Sequence, residues 1–205
     1  MYVDLKTTDK TWQEVYHLCI ALVTPRPIAL VSTISADGHL NLAPFSLFNM
    51  ISANPPVIVF SPALRADRQP KDTLANIRAT GEFVAAIVTE AIAEPMVRAA
   101  AALPAGHSEF DFAGLTPIPA SRVRPALVRE SPANFECRLR QIIELGDQPG
   151  AGSVVFGDVL AIHAADWLME PDGRIDPRRL RTVGRLGGKW YCTVSDPYEL
   201  EIPEV

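Results

Sequence analysis

The chain has 205 residues, 48% hydrophobic and 21% charged, with a formal net charge of -5 and a pI near 5.4. That is enough apolar material for a core, which excludes a mainly disordered chain. The acidic balance, with no Lys/Arg cluster, excludes general binding to nucleic acid or to an anionic membrane surface.

The length fits one ordinary domain over 1–205. Cys19, Cys137 and Cys192 are far apart, odd in number and form no CxxC pair, which argues against a disulfide framework or structural zinc. Met1–Lys6 shows no basic region leading into an apolar run, and no stretch approaches the roughly 20 apolar residues of a membrane span. The expectation is a cytoplasmic protein that neither carries a leader nor crosses a membrane.

In chain order, Thr11-Trp12-Gln13-Glu14 matches a capping box. Val15, Leu18, Cys19 and Leu22 follow at helical spacing, so a short amphipathic helix is expected until Pro25 and Pro27. The β-rich run Ile28–Ile34 and a second run from Leu40 flank Asp37-Gly38, a strong hairpin signal. Pro56–Phe60 reads as a third strand, buried on both faces. A helix over Lys71–Arg78 follows, with Asp72 as its cap and Gly81 just past its end. Glu82–Thr89 reads as a strand and Glu94–Ala102 as an Ala-rich helix.

From Leu103 to Pro132 the chain reads as a loop, with Pro104, Gly106, Gly114, Pro117, Pro119, Pro125 and Pro132. Loops this long inside a compact domain are usually functional. Strands near Phe135–Glu144 and Ser153–Ala165 flank Gly146–Gly152. Pro171-Asp172-Gly173 is a turn, and the tail carries Gly184-Arg185-Leu186-Gly187-Gly188. Successive antiparallel strands with helices added at the ends predict a mainly β fold, a small β-barrel with added helices. The glycine-rich strand-to-helix turn of a Rossmann site is absent.

Two segments carry candidate chemistry. Ser61–Thr73 runs from a strand end to a helix start and holds Ser61, Arg65, Arg68, Lys71 and Thr73. A helix N-terminus with free amides, flanked by cations and hydroxyls, suits a phosphate. Local features leave an ordinary polar surface loop equally open. In Asn41–Asn49, Pro44 and Phe45 interrupt strand alternation, and proline within a sheet belongs at an edge or bulge. Backbone groups there can meet a flat polar ring, although Phe45 and Phe48 also read simply as core aromatics.

His163 reads better as a satisfied structural histidine than as a ligand. His107 is a weak substrate contact, His39 beside the turn reads as solvated, His17 lies on the expected first helix, and Tyr191 reads as stacking or packing. No Ser-His-Asp set and no acid pair are legible.

The succession Arg26–Thr33, Asn41–Ser46, Asn54–Pro56, Lys71–Thr73 and Thr80–Phe83 resembles the FMN-binding flavin-reductase-like split-barrel family. So do Glu109–Thr116, Glu130–Cys137, Val155–Val159 and Gly184–Gly188. The resemblance spans about residues 12–198, the expected barrel core. It implies that Ser32 and Thr33 lie beside the flavin. It further implies that Ala43, Pro44, Phe45 and Ser46 line the ring and ribityl chain, and that Ser61, Arg65, Lys71 and Thr73 hold the phosphate.

It also implies a homodimer, with the Phe110–Gly114 loop and Arg185 closing the site, and FMN reduced by NADH or NADPH as a flavin reductase. An oxygenase component would then receive the reduced flavin. Many such reductases carry Gly-Asp-His where this chain has Gly146-Asp147-Gln148. That departure leaves open a flavin-binding electron carrier without its own nicotinamide reaction. A third reading, a pyridoxamine-phosphate-oxidase-like protein, finds no matching signature.

Overall fold

The computed structural model describes residues 1–103 and 107–203. Helix α1 (Trp12–Leu22) starts at Thr11, where the capping box forms as expected with Glu14. Strand β1 (Arg26–Pro27) precedes the hairpin of β2 (Ala29–Ile34) and β3 (Leu40–Phe45). β4 (Phe48–Ala53) and β5 (Pro56–Phe60) form a second hairpin. Helix α2 (Asp72–Thr80) and β6 (Glu82–Ile87) follow, then α3 (Ala93–Arg98) and α4 (Glu109–Ala113). The short pair β7 (Pro117–Ile118) and β8 (Leu127–Val128) leads to the long β9 (Ala133–Glu144) and β10 (Ser153–Ala164). One turn of helix, α5 (Pro177–Leu180), and strands β11 (Val183–Arg185) and β12 (Tyr191–Thr193) complete the order.

Seven strands form one antiparallel sheet in the order β3-β2-β6-β9-β10-β5-β4. Phe45 on β3 and Phe60 on β5 stand near opposite ends of that order, yet their rings are 5.0 Å apart. Phe60 in turn meets Phe83 of β6 at 5.3 Å. The sheet is therefore rolled around an aromatic core, which makes it a split barrel. Alternation along β2 assigns its faces: Ala29 and Val31 join the barrel interior, while Leu30 packs under α3 and α4. A strand with both faces covered reads as a continuous apolar run.

Several expectations change. Asp72 is not the cap of α2. Lys71 holds that position without a side-chain cap, and Asp72 begins the helix and pairs with Arg65. The α2 end at Gly81, with φ of 72°, matches the reading. The expectation for Pro44 holds, by contrast: β3 is an edge strand, where a missing N–H costs no ladder bond. The Ala-rich helix stops at Arg98. β4 is a strand that the sequence reading did not isolate.

The segment read as a loop contains α4, β7 and β8; its Pro104 and Gly106 lie outside the described residues. That segment is held by Glu136, which is fully buried on β9. The carboxylate accepts the amides of Ser121 (3.0 Å), Arg122 (2.5 Å) and Val123 (3.1 Å), and His163 Nε2 lies 2.6 Å away. His163 is thus a structural partner, as expected. Burial raises the Glu136 pKa, but the bonds from His163 and the amides outweigh it and hold the carboxyl below its ordinary range.

Glu136→Ala should cost about 2–4 kcal/mol at pH 7, because three backbone donors, that of Val123 buried, and His163 lose the carboxylate. A carboxyl depressed in the fold stabilises above its unfolded pKa, and that contribution is lost as pH falls through the folded value. Urea melts of wild type and variant should therefore differ at pH 7, and the difference should shrink as pH falls below the ordinary glutamate pKa of about 4.3. Equal midpoints at pH 7 would show that Glu136 does not anchor the segment.

Candidate functional site

The site is built from the end of β3, the Ser61–Pro70 loop and the start of α2. Ser61 donates its amide to the Leu47 carbonyl at 2.9 Å, joining the loop to the bend after β3. The turn between β9 and β10 supports the same loop. Leu64 donates to Ala151 (2.9 Å), Gly150 to Leu64 (3.1 Å) and Ser153 to Pro62 (2.9 Å). A Cβ on Gly152 would lie 2.6 Å from Ser61 Oγ, so a larger residue there would displace that hydroxyl. The glycines of that turn brace the loop, a role not visible in the sequence alone.

At the start of α2, the first amides bonded within the helix are those of Leu74 and Ala75, both to the Lys71 carbonyl. The amides of Asp72 and Thr73 precede them and have no acceptor within the helix. Two cations stand beside these amides. Arg65 is partly neutralised, donating to Asp72 Oδ2 at 2.8 Å and to the Pro70 carbonyl at 3.1 Å. Lys71 has no acidic partner among the described residues; its Nζ sits 5.6 Å from the centre of the Phe45 ring. Desolvation by the surrounding walls and the charge of Arg65 lower the Lys71 pKa below the ordinary lysine value. Such a cation is left for an incoming anion.

Two clefts meet here. One, of about 750 Å³, is lined by Pro44, Phe45, Ser46, Ser61 and Lys71, together with Trp12 and Tyr16 of α1. The other, of about 220 Å³, is lined by Ala43, Pro44, Arg65, Lys71, Thr73 and Glu109. Eight of the expected site residues, Ala43, Pro44, Phe45, Ser46, Ser61, Arg65, Lys71 and Thr73, are thus gathered around one opening. Phe45 lines the cleft while its ring remains in the core, so the plainer reading of that side chain also holds.

Three expected residues are placed differently. Thr33 lies behind the clefts, buried, and its Oγ1 accepts from Asn41 Nδ2 (3.2 Å) and Asn76 Nδ2 (3.1 Å). Ser32 is buried on the opposite face of β2 and lines neither cleft; its hydroxyl has no hydrogen-bond partner. Arg185 stacks 4.4 Å over the Tyr191 ring and donates to Gly188, away from both clefts. The Phe110–Gly114 stretch is not a free loop. Phe110 and Ala113 are buried in the core as α4, while Glu109 accepts the Leu42 amide at 3.3 Å.

Asn41 was not singled out, yet its Nδ2 also donates to Thr73 Oγ1 at 3.0 Å and so ties β3 to α2. Its place in the Asn41–Ser46 run was the available signal. Trp12 and Tyr16 gave none beyond helical spacing.

A family model for the flavin reductase like domain matches residues 22–174. The chain belongs to the flavin reductase-like family. Membership places it among flavin-binding oxidoreductases. An uncharacterized protein of Aquifex aeolicus is 38% identical over 198 residues, covering 97% of this chain and 98% of that one. The structure is similar to nitrilotriacetate monooxygenase component B from Bacillus cereus, with a TM-score of 0.91 and 35% identity over 98% of each chain. It is also similar to 2-nitrobenzoate 2-nitroreductase of Pseudomonas fluorescens, with a TM-score of 0.87 and 30% identity over 99% of this chain and 96% of that one.

The donor set fits a phosphorylated flavin. Free helix amides and a lysine without an acidic partner among the described residues suit the phosphate, and the cleft of about 750 Å³ beside them has the volume for a tricyclic ring. Lys71→Met tests whether that lysine is held for a ligand. A lysine depressed in the fold disfavours its own charged form there, so stability rises with pH through the folded pKa. The ligand-free variant should melt at or slightly above the wild-type temperature at pH 7. A fall of several degrees in a calorimetric scan would instead make Lys71 a structural residue.

Proposed function

We propose that this protein is a homodimeric FMN-binding flavin reductase that draws hydride from NADH or NADPH. The observation that carries this reading is Lys71, a cation without an acidic partner among the described residues, beside free amides of α2 and at the junction of two clefts. Lys71, Arg65 and Thr73 would hold the phosphate. Ala43–Ser46 would line the ring and ribityl chain, and Ser61 would sit between the two.

Bound flavin supplies the hydride-accepting chemistry, and the chain contributes binding, orientation and electrostatics. That division accounts for a site without an acid–base pair. Arg185, remote from the clefts in its own chain, would reach the site of a partner subunit. Similarity to a monooxygenase component B supports a further step, delivery of reduced flavin to an oxygenase component. Cys19, Cys137 and Cys192 are free, and no described helix is long and apolar enough to cross a membrane. Both accord with the cytoplasm as its location.

Gln148 supports a second reading, a flavin-binding electron carrier. Where many reductases place a histidine, Gln148 lies in an exposed turn and its amide donates to Asp147 at 2.9 Å. Anaerobic titration of the FMN-loaded protein separates the two. NADH or NADPH should bleach the flavin absorbance within minutes; a spectrum unchanged by both would leave the carrier. Lys71→Ala should weaken FMN about 10- to 100-fold while leaving riboflavin nearly unchanged, as expected for one charge-assisted contact of ~1.5–3 kcal/mol. Equal weakening of both flavins would put the phosphate elsewhere.

A further inference from the structure

Helix α1 buries little of itself. Ile20 is its one buried residue, while Trp12 and Tyr16 keep 52% and 45% of their surface exposed. Separated by four residues, these two aromatics share a helix face, and both line the larger cleft along with Pro44 and Leu47. Aromatic side chains normally lose most of their surface to a core, and a pair left half-open along a cleft is suited to an incoming flat ring.

The pair is held in place. The capping box fixes the start of α1. At its end, the buried Arg26 guanidinium donates to the carbonyls of Ile20 (2.5 Å), Val23 (2.6 Å) and Leu186 (3.0 Å). Ala21 packs against Gly187, where an added Cβ would come within 3.1 Å. Trp12 is seated on Gly150, and a Cβ there would lie 2.6 Å from the indole ring. Backbone thus covers part of the indole, and the rest borders the cleft.

We infer that Trp12 and Tyr16 form an aromatic wall that stacks on the ring of the bound flavin, opposite the Pro44–Leu47 bend. This rests on the flavin-binding reading above and adds to it the group that grips the ring rather than the phosphate. The cleft then has aromatic and apolar residues along its walls, with Lys71 also in its lining. Gly150 and Arg26 are positioning residues. They act through Trp12 and through the helix that carries it.

The test compares FMN with riboflavin on the intact protein, by titration and by the fluorescence of the bound flavin. A stacked indole quenches that fluorescence. Trp12→Ala should weaken both flavins by the same factor, about tenfold for a stacking contribution near 1.4 kcal/mol, and should raise the fluorescence of bound flavin. Trp12→Phe, which keeps an aromatic face, should recover most of the affinity. Unchanged affinity and fluorescence in a folded Trp12→Ala protein would overturn the wall while leaving the flavin reading intact. Weakening of FMN alone would also overturn it, since Trp12 would then act through Gly150 on the phosphate loop. If wild-type protein binds neither flavin at micromolar concentration, the functional reading itself fails and the wall with it.

Discussion

The candidate site depends on one buried amide. Asn41 Nδ2 donates to Thr33 Oγ1 on the neighbouring strand and to Thr73 Oγ1 in the first turn of α2. β2, β3 and the start of the helix are thereby fixed relative to one another. A buried donor left without its acceptors costs about 1–3 kcal/mol, so the contact resists slippage between sheet and helix. Asn76 adds a second donor to the same Thr33 hydroxyl. The distance between the end of β3 and the α2 amides is therefore a property of the barrel and not of the exposed loop that joins them. Thr33, which the resemblance puts beside the flavin, is buried and lines neither cleft.

On that frame the protein sets two neighbouring cations, of which only Arg65 has an ion pair among the described residues. Arg65 and Lys71 lie close enough for Arg65 to lower the Lys71 pKa, and desolvation lowers it further. Asp72 answers only Arg65. An uncompensated cation in a partly dry cleft raises the energy of the empty protein and lowers that of its complex with an anion. Some carboxylates elsewhere are answered more fully. Asp176 meets both Arg178 and Arg179, and the buried Glu136 takes three amides and His163.

What the sequence made legible follows the range of each interaction. The α1 capping box, the Asp37-Gly38 hairpin and the Gly81 end of α2 are local, and each appears as expected. The barrel could be inferred from strand order, because antiparallel neighbours need only short connections. The failures are long-range. Asp72 was the better isolated cap, but a tertiary ion pair with Arg65 claimed its carboxylate. The 103–132 segment looked like loop because its order comes from Glu136 and Asn134 on β9, which hold the backbone of Ser121–Val123 and of Val128. Those side chains lie more than five residues from the groups they anchor, beyond any local pattern. The glycines at 150 and 152 were visible, but the Trp12 ring and Ser61 hydroxyl that approach them were not.

Binding and turnover differ in legibility for a chemical reason. Holding a phosphate requires charged and polar groups in a compact run, and Ser61–Thr73 shows them in thirteen consecutive positions. Holding a flat ring requires backbone edges and apolar walls, which ordinary strand and helix residues supply without a signature. Trp12 and Tyr16 look like any amphipathic pair until the fold sets them beside Pro44. Redox turnover on a flavin asks still less of the protein, since the cofactor carries the reactive atoms. No acid, base or nucleophile need be conspicuous in the chain. The absence of a catalytic constellation is therefore compatible with both reductase and carrier. The choice between them depends on which second ligand reaches the open side of the cleft, and so on surfaces such as the turn bearing Gln148.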